Sequence, residues 1–243
     1  MKNRQRADQL LVSRGLFESR ARAQAAIEAG LVTADGVQVK KAAQLLSTEA
    51  RVQAEPAHPY VSRGGVKLSH ALEHFCFDPA GKICLDVGAS TGGFTDALLR
   101  GGARRVYAID VGSDQLHSSL RGRPDVIQLE STDARVLNRT IIRQPVQLIT
   151  IDVSFISLKL IFPSLANVAA QGCELVALIK PQFEAGRKLV RKGIVRDKAV
   201  HDAVCDNIAA AAEDRGWQVA GVTPSPIEGG DGNREFLLGA RLR

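Results

Sequence analysis

Four charged residues stand beside predicted strands or helix starts, at places where a reaction could occur. Lys180 directly follows the apolar run LVALI, and Asp152 ends the strand-like segment QLITID. Glu235 begins the last predicted strand, and Lys67 lies at the start of a predicted helix. A lysine after such an apolar run is either paired or deprotonated, because burying an isolated charge is unfavourable. We therefore expect Lys180 to be a working group in a candidate reaction centre.

A glycine-rich loop predicts a cofactor site. It follows a strand that ends in Asp86 and Val87, and it consists of Gly88, Ala89, Ser90, Thr91, Gly92, Gly93 and Phe94. In parallel sheets, ligands bind at the carboxyl ends of strands, and glycine allows a ligand to approach the backbone closely. The spacing G-A-S-T-G-G differs from the G-x-G-x-x-G of dinucleotide-binding enzymes, which counts against NAD.

Acidic residues also end the next two predicted strands. Asp110, followed by Val111, is placed to accept both ribose hydroxyls of an adenosine, and Asp133 is a candidate partner for the adenine amino group. Each aspartate alone would equally fit a helix N-cap or a turn. Three acids at successive strand ends, with Asp152 at the fourth, favour a binding site for an adenosine cofactor.

The elements that carry these residues alternate between strands and helices from residue 64 onward. The predicted strands are KICLDVG, RVYAID, VIQLE, QLITIDVS, ELVALIK, QVAGVTPSPI and EFLLGARL. Helices are predicted at about 64–76, 94–101, 113–121, 157–170 and 197–215. Apolar strands separated by helices indicate a parallel sheet covered on both faces, and the last two strands predict an antiparallel hairpin. The predicted fold is α/β, a class I (Rossmann-like) methyltransferase domain with a seven-stranded, mostly parallel sheet, preceded by a small α+β domain.

The N-terminal part is predicted to be a separate basic module. Residues 1–63 hold 10 Lys and Arg against 6 Asp and Glu, whereas residues 64–243 hold 22 against 20. Two helices, at about 6–15 and 19–30, precede a strand, an Asp-Gly turn (Asp35 and Gly36) and a second strand, and Ser19 is the expected N-cap of the second helix. A basic module on a nearly neutral body predicts a polyanionic partner. The candidate RNA-binding residues are Arg4, Arg6, Arg14, Arg20, Arg22, Lys40, Lys41 and Arg63.

Composition indicates where the domains meet and which classes of protein are disfavoured. Residues 54–63 contain two prolines and no periodicity, so we predict a linker between domains at 1–60 and 64–243. The four cysteines are widely spaced, which argues against a disulfide framework or a zinc site and fits a reducing cytoplasm. No apolar run approaches the roughly 20 residues needed to span a bilayer, and no signal peptide is evident.

Motifs spread over the chain carry a family resemblance. VSRGGVKL, DVGASTGGFTD, DVSFISL, KPQFE and GNREF resemble the TlyA family, whose members are named hemolysin-like and include ribosomal RNA methyltransferases. Residues 4–63 resemble the S4 RNA-binding domain through Arg6, Asp8, Leu10, Leu11, Ser19, Arg20, Ala23, Ile27, Gly30, Val32, Gly36 and Val39. The larger domain resembles the FtsJ type of ribose 2′-O-methyltransferase, which uses a Lys-Asp-Lys-Glu tetrad.

The resemblance implies a mechanism. The tetrad would be Lys67, Asp152, Lys180 and Glu235, and S-adenosylmethionine would supply the methyl group to a ribose 2′-hydroxyl of ribosomal RNA, with cytidine as the expected nucleotide. Lys180 would accept the hydroxyl proton, Lys67 and Asp152 would orient the reacting groups, and Glu235 would balance charge. No metal is expected.

Several alternatives remain open from the sequence. The chain could bind RNA and S-adenosylmethionine without catalysis, although an intact tetrad argues against this. It could be a membrane-active hemolysin, although no inserting segment is evident. Base methylation usually needs an Asn/Asp-Pro-Pro-aromatic motif or a catalytic cysteine, and neither is apparent. The basic segment GRKLVRKGIVRD (186–197) is either a solvated loop or a phosphate-contacting one.

Overall fold

The chain forms two compact units. The computed structural model describes residues 3–229 and 232–243, and the units are Met1–Pro59 and Tyr60–Arg243. The first unit contains β1 (Arg4–Arg6), α1 (Ala7–Ser13), α2 (Arg20–Glu28), β2 (Val32–Ala34), β3 (Val37–Gln38), β4 (Leu45–Ser47) and β5 (Val52–Ala54). Strand β1 pairs with β4, and β2 lies between β3 and β5, with every pairing antiparallel.

Local sequence signals explain most of the first unit. The Ser19 side chain accepts a hydrogen bond from the Arg22 amide and so caps α2, as its position before the helix predicted. Gly30 follows α2 with a φ of 76° and ends the helix. Asp35 and Gly36, with φ values of 51° and 79°, form the tight turn between β2 and β3.

A buried carboxylate joins the elements of the first unit. Asp8 at the start of α1 is fully buried, and its oxygens accept hydrogen bonds from Arg6 Nε at 3.0 Å, Arg20 Nη2 at 2.7 Å and Gln24 Nε2 at 3.0 Å. The guanidinium of Arg6, together with Arg20 and Gln24, holds the pKa of Asp8 well below its usual range. One carboxylate therefore ties β1 and α1 to the first turn of α2.

The second unit is built on a seven-stranded sheet. Its strands are β6 (Ile83–Val87), β7 (Arg105–Ile109), β8 (Val126–Leu129), β9 (Val146–Ile151), β10 (Ala169–Ile179), β11 (Trp217–Pro224) and β12 (Phe236–Leu242). The sheet order is β11-β12-β10-β9-β6-β7-β8. Strands β6 to β10 are parallel, and β12 runs antiparallel to both of its neighbours. The predicted mostly parallel sheet and its terminal antiparallel hairpin are therefore confirmed.

Helices cover both faces of this sheet. They are α3 (Gly64–Phe75), α4 (Gly93–Arg100), α5 (Phe162–Leu165), α6 (Pro181–Glu184) and α7 (Lys198–Glu213). Leu68 of α3 and Leu98 of α4 belong to one buried apolar cluster, whereas Phe162 of α5 and Ile208 of α7 belong to another. Burial of both faces explains why the central strands are almost continuously apolar.

Two of the predicted helices were wrong. Residues 113–121 form turns, because Asp114 has a positive φ of 57° and the Arg121 guanidinium donates to the carbonyls of Asp114 and Leu116. Residues 157–170 contain a 3-10 turn, the four-residue α5 and the start of β10. Pro163 lacks the N–H that a continuous helix would need there, so the helical segment is broken.

Replacing Asp8 with alanine should loosen the first unit. Asp8→Ala leaves Arg20 and Gln24 without the acceptor that joins α2 to α1, so we expect faster amide hydrogen exchange throughout both helices. Glu49→Ala removes an exposed acid of the same unit and serves as the control. Equal exchange in the two variants would show that the Asp8 cluster contributes no stability.

Candidate active site

A cavity of about 340 Å³ lies at the carboxyl ends of β6, β7 and β9. Its wall consists of Val87, Gly88, Ser90, Ile109, Asp110, Val111, Gln115, Thr132, Asp133, Ala134, Asp152, Val153, Ser154, Phe155, Ile156 and Ile161. The wall combines apolar side chains with a few polar groups, which is the usual composition of a small-molecule site. Its place outside the carboxyl edge is where ligands bind in open α/β sheets.

The backbone at Gly88 makes room for this cavity. Gly88 has a φ of 81°, and a Cβ atom there would lie 2.4 Å from the carbonyl oxygen of Asp152. Its amide donates to the Ile109 carbonyl at 2.9 Å, while the Asp152 amide donates to the Val87 carbonyl at 2.9 Å. The glycine therefore lets the ends of β6, β7 and β9 converge at one point.

Asp110 shapes two loops of the cavity wall. Its carboxylate accepts hydrogen bonds from the Ser90 amide and the Gly112 amide, both at 2.8 Å. The Ser90 hydroxyl in turn donates to Gln115 Oε1 at 3.0 Å. Asp110 thus stands at the strand end where the sequence predicted it, and it also supports the glycine-rich loop.

Asp133 adopts the capping role that the sequence left open. Its carboxylate accepts from the Arg135 amide at 2.8 Å and pairs with Arg135 Nη2 at 2.6 Å. The hydrogen bonds from the Arg135 side chain and amide lower the pKa of Asp133. The residue lines the cavity, but its oxygens are already engaged by Arg135.

Asp86 does not reach the cavity wall, contrary to its expected place among the cofactor-binding residues. It is fully buried, and its oxygens accept from Thr95 Oγ1 at 2.7 Å and Thr150 Oγ1 at 3.1 Å. Burial raises its pKa to about 7. Its carboxyl group joins β6 to α4 and β9, so it supports the loop from beneath.

Five further loop residues also lie outside the wall: Ala89, Thr91, Gly92, Gly93 and Phe94. A Cβ on Gly92 would lie 2.4 Å from Leu120, and one on Gly93 would lie 2.1 Å from Ser62 Oγ. Phe94 belongs to the apolar cluster beneath α3 and α4. These residues allow close packing behind the loop, while Gly88 and Ser90 face the cavity.

The four residues of the predicted reaction centre form two ion pairs. Lys180 Nζ lies 2.6 Å from Asp152 Oδ1 and donates to Ser154 Oγ at 3.0 Å. Lys67 and Glu235 form an ion pair in which the two side chains are only 9% and 4% exposed. Each charge at this site therefore has a partner of opposite sign.

Strand register brings the two pairs to one edge of the sheet. Ile179 pairs with Phe236, so the residues that extend these strands, Lys180 and Glu235, face each other across β10 and β12. Strand β9, which ends at Asp152, lies on the other side of β10. Asp152 also lines the cavity and thus connects the charged groups to it.

The loop after Asp152 is held by helix α6. Glu184 accepts from Ser157 Oγ at 2.6 Å and from the Leu158 amide at 2.9 Å. Phe155 in this loop is 89% exposed and contacts the Phe183 ring at 4.9 Å between centroids. One short helix therefore links Lys180, at its start, to a wall of the cavity.

Both parts of the chain match models of known families. Residues 60–242 match the model of FtsJ-like methyltransferases, and residues 5–52 match the S4 domain. The chain belongs to the FtsJ-like methyltransferase family. The fold of its second unit, with a seven-stranded and mostly parallel sheet, is that of a Rossmann-like methyltransferase domain.

Similar proteins cover nearly the whole chain. It is 43% identical to the 16S/23S rRNA (cytidine-2′-O)-methyltransferase TlyA of Mycobacterium tuberculosis, over 100% of this chain and 92% of that protein. It is 41% identical to Hemolysin A of Brachyspira hyodysenteriae, over 96% of this chain and 98% of that protein. A solved structure from Streptococcus thermophilus that carries the name hemolysin has a TM-score of 0.78, 41% identity, and coverage of 100% of this chain and 90% of that one.

Most arginines predicted to bind RNA already have partners within this FtsJ-like chain. Arg6 and Arg20 hold Asp8, Arg22 pairs with Glu18, and Arg14 donates to the carbonyls of Thr48 and Ala50. Exposed side chains are found at Arg4, Lys40, Lys41 and Arg63, the last of which belongs to the second unit. Of the residues predicted to bind RNA, Lys40 and Lys41 are thus exposed and in no ion pair among the described residues.

Sequence analysis missed several residues of the cavity wall. Ser154, Phe155 and Ile156 directly follow Asp152, so their position after a strand end was an available signal. Gln115 comes from the segment wrongly predicted as a helix, and no sequence pattern marks it. Thr132 precedes Asp133 and could have been inferred from it.

Asp86 should give the second unit a characteristic pH dependence. A carboxyl whose pKa is raised to about 7 on folding makes the folded state bind protons more tightly, so the wild-type protein loses stability as the pH rises from about 4 to 7. The Asp86→Asn variant has no carboxyl group to ionise at this position. Its free energy of unfolding minus that of the wild type should therefore increase by up to about 1.4 kcal/mol per pH unit in that window.

Denaturant unfolding followed by Trp217 fluorescence measures this difference, because Trp217 is the only tryptophan and lies in the second unit. Asp206→Asn, which changes an exposed acid on α7, should show no such trend. A difference between Asp86→Asn and wild type that stays constant with pH would contradict the raised pKa.

Proposed function

We propose that the protein transfers a methyl group from S-adenosylmethionine to a ribose 2′-hydroxyl of ribosomal RNA, with cytidine as the target nucleoside. The proposal rests on two ion pairs, Lys180–Asp152 and Lys67–Glu235, which lie beside a cavity at the carboxyl edge of the sheet. The rRNA (cytidine-2′-O)-methyltransferase TlyA of Mycobacterium tuberculosis, at 43% identity, supports the choice of substrate.

The cavity suits the proposed cofactor. Gly88 leaves space where a Cβ atom would strike Asp152, and Asp110 presents a carboxylate at a strand end next to apolar groups. Gly88 and Ser90 would hold the methionine part, and Asp110 would accept the ribose hydroxyls of the adenosine. Bound S-adenosylmethionine supplies a methyl group already activated by the sulfonium charge.

The protein's own task is to align the ribose hydroxyl and remove its proton. Lys180 would first lose the proton that it carries in its ion pair with Asp152, and its free amine would then accept the hydroxyl proton at Nζ. Asp152 holds this nitrogen in place at 2.6 Å. Lys67 would orient the hydroxyl, while Glu235 keeps the buried charge of Lys67 balanced. Proximity and orientation account for much of the expected rate enhancement.

The S4 unit is proposed to supply affinity for structured RNA. Its exposed Lys40 and Lys41 follow the hairpin of β2 and β3. The Asp8 cluster fixes Arg6 at the end of β1 and Arg20 at the start of α2. Contacts with phosphates give affinity with little choice of sequence. The choice of nucleotide would then fall to the methyltransferase unit.

The alternative functions have less support. A protein that only binds S-adenosylmethionine would have no use for the two ion pairs beside the cavity. The name hemolysin is attached to similar proteins. Among residues 3–229 and 232–243, no helix is long and apolar enough to cross a membrane. Nor do the described residues include a cluster of metal ligands.

Lys180→Arg should abolish methyl transfer while leaving cofactor affinity unchanged. A guanidinium keeps the charge and the pairing with Asp152, but it stays protonated and cannot accept the hydroxyl proton. We expect the single-turnover rate to fall by about 100-fold or more. The measurement uses ribosomal subunits from a strain that lacks the gene, followed by mapping of 2′-O-methyl groups.

Lys159→Arg is the matched control, because Lys159 is an exposed lysine in the turn after the cavity loop. Substantial transfer by Lys180→Arg would refute its role as base. A methyl group mapped to a base, or no methylation of ribosomal RNA by the wild-type protein, would refute the proposed reaction itself.

Asp110→Ala should weaken S-adenosylmethionine binding by roughly tenfold, because it removes a carboxylate of the wall and the acceptor of the Ser90 amide. Calorimetry without RNA measures the dissociation constant, and NAD should give no comparable binding. Asp114→Asn changes an exposed acid of the next loop and should bind normally. Unchanged affinity in Asp110→Ala would exclude Asp110 from the cofactor site.

A further inference from the structure

A short basic hairpin lies between helices α6 and α7. Arg191 and Ile194 exchange two backbone hydrogen bonds, both 3.0 Å long, around Lys192 and Gly193. Both turn residues have positive φ, 51° at Lys192 and 80° at Gly193. A lysine rarely adopts this conformation, and residues held in it often serve a function.

The cations of this segment form no ion pair among residues 3–229 and 232–243. Lys188, Arg191, Lys192 and Arg196 are exposed, and no carboxylate among the described residues pairs with any of them. The side chain of Arg187 lies outside the described part of the structure. By contrast, other arginines of this unit pair with aspartates, as in Arg123–Asp125 and Arg135–Asp133. The hairpin therefore presents concentrated positive charge to solvent.

A buried asparagine holds the hairpin beside the reaction centre. Asn233 is 1% exposed, donates through Nδ2 to the Gly193 carbonyl at 2.9 Å, and accepts from the Val195 amide at 3.2 Å. The buried His201 ring lies 3.0 Å from the Val195 carbonyl. Asn233 is two residues from Glu235, so these bonds set the hairpin's place relative to the tetrad.

We propose that the hairpin Arg191–Ile194 binds the RNA phosphates that flank the target nucleotide, and that Asn233 is the positioning residue that connects this surface to Glu235. The inference rests on the proposed function and adds a second RNA contact, in the methyltransferase unit itself. Arginine and lysine on a rigid turn suit a phosphate backbone, because little freedom is lost on binding. The short link to Glu235 would place the bound RNA relative to Lys180, the proposed proton acceptor, and to the ribose 2′-hydroxyl that receives the methyl group.

The first test removes the two cations of the hairpin. Arg191→Gln/Lys192→Gln should raise KM for ribosomal subunits by roughly tenfold with kcat nearly unchanged. It should also flatten the slope of log Kd against log salt concentration by about 1.5, as expected for two lost phosphate contacts. Cofactor affinity, measured by calorimetry, should not change.

The matched control removes two charges from the opposite edge of the sheet. Arg104→Gln/Arg215→Gln changes exposed arginines that precede β7 and β11, at the amino ends of the strands. Helix α7 alone, at 16 residues, separates Arg215 from the hairpin side by about 24 Å. The hairpin proposal is wrong if the hairpin double variant has the same KM and salt slope as the control double variant. If the wild type still methylates ribosomal RNA in that case, the proposed function stands.

The role of Asn233 is tested with a double-mutant cycle. If Asn233→Ala releases the hairpin, it should lower kcat, and the Arg191→Gln/Lys192→Gln change should raise KM less in its background than in the wild type. A structural defect without coupling would leave the two effects independent. Full additivity, with cofactor affinity retained, would therefore overturn the positioning role.

Discussion

The close approach of two strand ends organises the methyltransferase unit. The backbone of Gly88, at the end of β6, lies against the carbonyl of Asp152 at the end of β9, with no space for a side chain between them. Hydrogen bonds from Gly88 to Ile109 and from Asp152 to Val87 fix this junction. The junction joins three strands. It therefore brings the glycine-rich loop, Asp110 and Asp152 together around one cavity. A larger residue at position 88 would separate the proposed cofactor site from the acid beside it.

Charge balance is the second constraint on the site. Lys67 is almost buried and its charge would be unfavourable alone, but Glu235 neutralises it. Lys180 is paired with Asp152, and Ser154 provides a further hydrogen bond. The two lysine side chains are similarly buried, at 9% and 12% exposed, but their partners differ, because Asp152 lines the cavity and Glu235 does not. This difference suits an orienting role for Lys67 and a proton-accepting role for Lys180.

Buried polar groups outside the reaction centre hold loops rather than ligands. Asp86 secures α4 beneath the glycine-rich loop, Asp8 joins the helices of the S4 unit, and Asn233 fixes the basic hairpin. In each case one side chain connects separate segments of the chain through several hydrogen bonds. Such satisfied groups specify a unique arrangement of loops, because their bonds would be lost in any other.

The sequence by itself determined the sheet and its strand ends, since apolar runs and glycines are local signals of parallel strands and tight loops. It also marked the four charged residues at these ends, whose assignment as a tetrad comes from the family resemblance and stays a prediction. It also predicted the cap at Ser19 and the turn at Asp35–Gly36, which depend on adjacent residues. Tertiary structure decided which polar atoms are already engaged. Asp86 and Asp133 stand at strand ends like Asp110, and all three carboxylates already accept hydrogen bonds. Side chains of Thr95, Thr150 and Arg135 donate to Asp86 and Asp133, whereas backbone amides of Ser90 and Gly112 donate to Asp110. Thr95 and Thr150 reach Asp86 through the packing of α4 and the pairing of β9 with β6, which no periodic pattern encodes.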